Sequence, residues 1–392
     1  MDSTVPPVQQ ALHATRHALL HGDHRSGVAQ AELALALTDR GDIGPDLAEA
    51  LTHLSHHRFA LGRFHDAMAS AERARATWQA LGARERECEA LSLRAAACSE
   101  AGFDEEALHD AHQAFELAHL HHLPERLLQA LALMGGFHGR LGDVQGAEAL
   151  LLQALSRARE WQDHAARFLA LNNLVGVLVQ AHALHSARGD DDARQATALR
   201  LLHHARHSLT LTADEPSRLR RAMLRSNAAS GLMASGLQHE AWPLLDDCLA
   251  QARSEGFRAV ELQARTRMLQ CLAQLGQRED AAQAAAELQR LLAQGSACRH
   301  QPPVEQEAAA MLAVLHPALH PAATPAALQR AAQQVLARHC QSPPSLQAAL
   351  QDHLELVLAA LDSLDAVQPP WRVTPSQALP QTRPQPEVLP AA

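Results

Sequence analysis

Apolar and small residues recur along this chain in one phrase. Leu51, Leu91 and Leu131 stand eleven residues before Gly62, Gly102 and Gly142, and Ala67, Ala107 and Ala147 stand five residues after those glycines. The three phrases LGRFHDA, AGFDEEA and LGDVQGA are separated by one period of 40 residues. SGLQHEA around Gly236 and LGQREDA around Gly276 repeat the phrase, and Gly22–Gly27 opens the series. Eight residues before the glycine stands Leu54 or Met134, though Arg94 in the third unit. Seven before it stands Ser55, Ala95, Gly135 or Ala229, with Leu269 departing. Leu-x-x-Leu-small is a helical face with a notch for a neighbouring helix. A fixed period of this length predicts stacked supersecondary units, each resting on the next.

Each unit reads as two helices. The glycine takes the left-handed conformation at the end of the first. Acidic residues (Asp66, Asp104–Glu106, Asp143, Glu279, Asp280) then favour the positive end of the second. Phe64 and Phe103 are placed to wedge the pair apart. The interval from Gly142 to Gly189 is 47 residues, and so is that from Gly189 to Gly236. Seven added residues are close to two helical turns, so a lengthened helix keeps its buried face in phase. The first addition falls at about Gln180–Arg188. In the Gly189 unit Arg194 replaces the small residue. After Gly276 the rhythm decays.

Composition agrees with helices throughout. Aromatics make up 3%, tyrosine is absent and Ile43 is the sole isoleucine. Strand formers are therefore scarce, while Ala, Leu, Gln, Glu and Arg abound. All 34 basic residues are arginine, a pattern suited to a GC-rich genome. A net charge of −9 with interspersed acids, and no stacking platform or recognition helix, argues against nucleic acid as a partner. The start, MDSTVPPVQQ, lacks the layout of a signal peptide. The most apolar stretch, 168–184, carries Asn172, Asn173, Gln180 and His182, so no membrane span is expected. Six cysteines without a CxxC pair read as reduced thiols in a cytosol.

The strings Gly62-Arg-Phe-His-Asp-Ala67, Gly102-Phe-Asp-Glu-Glu-Ala107 and Ala170-Leu-Asn-Asn-Leu-Val175 resemble the tetratricopeptide repeat. The long period resembles the 40-residue branch seen in maltose-activator-like, Rap-type and kinesin-light-chain-like regions. The resemblance implies an all-α, right-handed solenoid of about seven repeats plus capping helices. The expected boundaries are a disordered stretch over 1–7, repeats over 8–294, capping helices over 295–367 and a Pro-rich disordered tail over 368–392. It also implies a non-catalytic scaffold or adaptor that holds a peptide or helix in its concave groove, in bacterial signalling or regulation. The alternative is a sensory module that responds to a small molecule or peptide and acts on a separate effector. In such repeats Asn on the inner helix often bonds an extended peptide. Counting by period puts Glu49, Thr52, His56, Glu89, Ser92, Gln129, Asn172, Asn173, Ser226, Asn227 and Thr266 on the inner row. Asn173 and Asn227 could equally join helix to helix.

The 26 histidines include pairs at one-turn spacing: His53/His57, His109/His112, His182/His185, His203/His207 and His316/His320. Such pairs can present two imidazoles to a metal, but no HExxH and no third ligand follow from the spacing. No cofactor, metal or catalytic residue is expected. There is no GxSxG, and a chain without lysine holds no Walker motif. Gly135-Gly-Phe-His-Gly139 falls mid-helix and reads as a packing notch rather than a phosphate loop.

Overall fold

A computed structural model describes residues 6–38, 43–213, 215–294, 302–318, 330, 350–351 and 354–361. The described residues form helices and turns, with no strand among them. The first helices of the successive units are α1 (Pro7–His21), α3 (Pro45–Ala60), α5 (Arg84–Ala101), α7 (Pro124–Arg140), α9 (His164–Arg188), α11 (Arg218–Ala234) and α13 (Arg258–Leu275). The second helices are α2 (His24–Leu37), α4 (Phe64–Ala80), α6 (Asp104–Leu120), α8 (Val144–Glu160), α10 (Asp191–Leu211), α12 (Gln238–Glu255) and α14 (Arg278–Ala293). Then come α15 (Pro303–Ala318) and a helical stretch over 354–361. Each helix packs on the one before and the one after it. The odd-numbered helices also pack on one another in order, so they line the concave side.

The periodic glycines do what the pattern predicts. Gly22, Gly62, Gly102, Gly142, Gly189, Gly236 and Gly276 all have φ between 72° and 93°. At Gly62 its own N–H bonds Phe59 O and the next N–H bonds Arg58 O, the Schellman arrangement. Ala67, Ala107, Ala147, Ala241 and Ala281 are fully buried where the two helices of a unit meet. At the notch, Ser55 Oγ donates to Ala67 O at 2.9 Å. A Cβ on Gly135 would meet Leu151 Cγ at 2.6 Å, so Gly135–Gly139 is a packing notch. The added residues appear as a 25-residue α9 and a 21-residue α10, against 17 in α7. By length and composition α9 could cross a bilayer, but most of its apolar face is buried in the fold.

A second left-handed position, absent from the sequence reading, lies in the turns between units. Gly82, His122, Gln162 and Gly256 have φ of 68°, 54°, 56° and 77°. The first three are again 40 residues apart, but His and Gln conceal the period. A side chain there costs about 1 kcal/mol, so His122→Gly or Gln162→Gly should raise the unfolding free energy by roughly that amount. Urea unfolding measures it, and unchanged or lower stability would refute the strain.

The solenoid closes upon itself. His24 lies tilted against Phe257, with ring centroids 5.6 Å apart. Arg25 lies over Gly256, Arg218 over Gly22 and Pro303 over Gly102. Arg157 Nη2 donates to Leu361 O across 204 residues. Leu354, Val357 and Leu361 join the core formed by α5–α9, and α15 touches α5 as well as α13 and α14. The terminal helices therefore pack on the next winding as well as on the last repeat. Of the expected segments, residues 1–5 of 1–7 and all of 368–392 lie outside the described residues, as does 295–367 apart from 302–318, 330, 350–351 and 354–361.

Between these windings sits a neutral histidine pair. His57 Nε2 donates to Thr15 O at 3.3 Å, so its Nδ1 accepts from His24 Nδ1 at 3.0 Å. His57 is wholly buried, and its ring fills the space where a Cβ on residue 27 would sit, which is why Gly27 lacks one. Burial, then the charge His24 would carry, pushes the His57 pKa down to about 3.

Candidate binding face

The residues thirteen positions before each repeat glycine (Glu49, Glu89, Gln129 and Gln263) lie part-exposed on the odd-numbered helices. They are joined sideways. Arg16 on α1 bonds Glu49 on α3, and His53 Nε2 lies 3.1 Å from the same carboxylate. The His53 hydrogen bond leads the causes that hold Glu49 down to about 2. Glu89 on α5 faces His56 of α3 at 3.6 Å, Arg86 at 2.8 Å and Arg126 of α7 at 3.4 Å. Burial raises the Glu89 pKa, but the His56 contact and the two arginines outweigh it and hold it well below the usual range. Arg126 also reaches Glu85 and donates to Gln129 Oε1 at 3.2 Å.

Beyond α7 the ladder becomes neutral. Asn173 Nδ2 donates to Ala132 O at 3.0 Å. Asn227 Nδ2 donates to Asn172 Oδ1 at 2.9 Å, and Gln263 Nε2 donates to Asn227 Oδ1 at 3.4 Å. The two asparagines thus join helix to helix, which favours the second of the two roles open to them.

The rest of the expected row divides by depth. Thr52, Ser92, Ser226 and Thr266 stand ten residues before their glycines and are buried, as is Asn172. Thr52 and Thr266 donate to Ala48 O and Leu262 O in their own helices, and Ser226 donates to Gln263 Oε1. Thr52 also accepts from Trp78 Nε1 at 3.0 Å. Buried between helices, these five cannot touch a docked chain unless the helices part. The accessible part is Glu49, His53, His56, Glu89, Arg126 and Gln129 on the charged half, with Asn173, Asn227 and Gln263 on the neutral half. His53 and Arg126 escaped the sequence reading, although each stands one turn from a residue in the row.

No group of three His, Cys, Asp or Glu among the described residues is placed to hold a metal. His53 and His57 face different neighbours, and His320 lies outside the described residues. Cys88, Cys98 and Cys248 are buried, which pushes their thiols up to about 12, and Cys271 to about 11, so none is a poised nucleophile. A cleft of 290 Å³ between α12, α13 and α14 is crossed by Arg265, which pairs with Glu261 and Glu287.

No family model matches the chain, and no curated protein matches it. Solved structures do. The apo form of RapI superposes with a TM-score of 0.51 at 13% identity, over 74% of this chain and 99% of that one. A Rap protein complexed with competence and sporulation factor gives 0.51 at 13% identity, over 92% of this chain and 93% of that one. The fold is a Rap-type tetratricopeptide solenoid. At this identity the likeness concerns the fold, and both chains are matched over nearly their whole length.

Proposed function

We propose that this solenoid is a non-catalytic regulatory scaffold that binds an extended peptide or a helix on its concave face. The observation that carries the reading is the part-exposed ladder from Glu49 to Gln129 on α3, α5 and α7. It offers donors and acceptors in a row, held rigid by their neighbours, as recognition without large ordering cost requires. The neutral half, from Asn173 to Gln263, serves as the wall. The Rap protein complexed with competence and sporulation factor shares the fold, and this supports a peptide as the ligand class. The closed windings favour the sensory form of the reading, because a ligand between them can change their spacing.

Peptides selected from a random library on the intact chain test this. A His56→Ala/Gln129→Ala variant should lose about tenfold in affinity, the worth of one or two hydrogen bonds in a partly solvated site. Asn173→Ala should lower stability by about 1 kcal/mol and leave the affinity unchanged. Binding that survives His56→Ala/Gln129→Ala but fails in folded Asn173→Ala would move the site off the ladder.

A further inference from the structure

His207 on α10 stands between two guanidinium groups. Arg167 Nη2, from the start of α9, lies 2.7 Å from its Nε2. Arg159 Nη2, from the end of α8, lies 3.3 Å from its Nδ1. A guanidinium only donates, and an imidazole has at most one acceptor nitrogen. One of the two contacts therefore sets a donor against a donor. No carboxylate lies within ion-pair distance of Arg159 or Arg167 among the described residues. Their neighbour Arg200, by contrast, is paired with Glu148. Nearby Asp163 has another duty: it accepts from Ala166 N as the cap of α9. Arg167 Nε and, in the preceding turn of α10, His204 Nδ1 are buried without a hydrogen-bond partner. Burial, followed by the charges of Arg159 and Arg167, lowers the His207 pKa, so the cluster resists taking up a proton of its own. What the arrangement lacks is an acceptor with several lone pairs.

We infer that Arg159, Arg167 and His207 form a binding site for a phosphoryl group where α8 turns into α9, beside α10. With the two guanidinium groups on opposite edges of the imidazole, one phosphate oxygen would accept from Arg167 and another from Arg159. A third would accept from His207, which could then bear both its protons. Tetrahedral oxyanions with two negative charges suit this set better than a monocarboxylate, because two fixed cations flank a titratable third and several oxygens are needed to reach them.

Inorganic phosphate and O-phosphoserine, each titrated calorimetrically into the full chain against sodium chloride of equal ionic strength, test the site. Both phosphates should bind and raise the thermal midpoint, and chloride should not. The His207 imidazole, followed by NMR, should titrate at higher pH in saturating phosphate. Affinity should fall about tenfold or more in Arg159→Gln and further in R159Q/R167Q, each removing a charge-assisted hydrogen bond. Arg159 is exposed, so Arg159→Gln keeps the test valid should Arg167→Gln disturb the fold. Tighter binding of O-phosphoserine assigns the site to a phosphate ester, and tighter binding of phosphate assigns it to the free ion. Equal effects of phosphate and chloride overturn the inference, as does phosphate binding that folded R159Q/R167Q retains.

Discussion

Phe257→Ala is expected to lower the unfolding free energy by about 3–5 kcal/mol, the usual cost of emptying a fully buried phenylalanine site. The ring is wholly buried among Ala222, Cys248, Ala252, Val260 and Ala264. Small alanines cannot swing inward to refill the space, so most of the cavity should persist. The substitution also removes the surface against which His24 rests. Small-angle scattering should therefore report a larger radius of gyration for Phe257→Ala at a temperature where both proteins remain helical. Phe115→Ala is the control. Phe115 is buried within the α5–α9 core, so its loss should cost a similar amount and leave the dimensions nearly unchanged. If Phe257→Ala and Phe115→Ala proved alike in scattering, Phe257 would have no part in holding the windings together.

The second large effect concerns acid. His57 and His182 are buried as neutral rings, with pKa values pushed down to about 3 and about 4, in each case first by burial. In the unfolded chain they take protons near pH 6.5. As pH falls through that value, the unfolded state binds protons that the folded state refuses, and stability declines until the folded pKa is reached. By pH 5 each should have removed about 2 kcal/mol. The depressed carboxylates act in a different window. Glu49 and Glu89 contribute stability above the unfolded carboxylate pKa near 4.3, and lose it only below that. The loss between pH 6.5 and 5 thus belongs to histidine. Urea unfolding at pH 7.5, 6 and 5 measures it, and His182→Gln should flatten part of the slope. A wild-type stability that stays level across that range would mean that these rings are not buried neutral.

The sequence carried the architecture far because one residue type reports one backbone state. Glycine with positive φ ends each first helix, and its spacing transmits the register to every buried alanine beyond it. The same reporter fails at residues 122 and 162, where the conformation recurs but His and Gln occupy it. The part-exposed row on the odd-numbered helices was legible to within one helical step. Thr52 and Glu49 are three residues apart, on neighbouring stripes of α3, yet one is buried and the other reaches solvent. A threonine or serine that bonds a carbonyl one turn back in its own helix is satisfied when buried, so its polarity does not announce exposure. The contact between His24 and Phe257 was hidden for another reason. Periodicity describes how a unit meets the next one, and nothing in it states the pitch of the whole. The His207 cluster escaped too, because its members come from three helices and only His203/His207 share a spacing.

The joined windings bear on how freely this protein can change its length. In an open array a unit can be inserted or deleted with little penalty, because each meets only its neighbours. Here Arg157 meets Leu361 across 204 residues, and Arg25, Gly102 and Phe257 have partners at comparable remove. Removing one unit anywhere between such partners would put every one of these contacts out of step at once. The number of repeats is thus fixed by geometry, as the number of teeth is fixed in a gear that must mesh with itself.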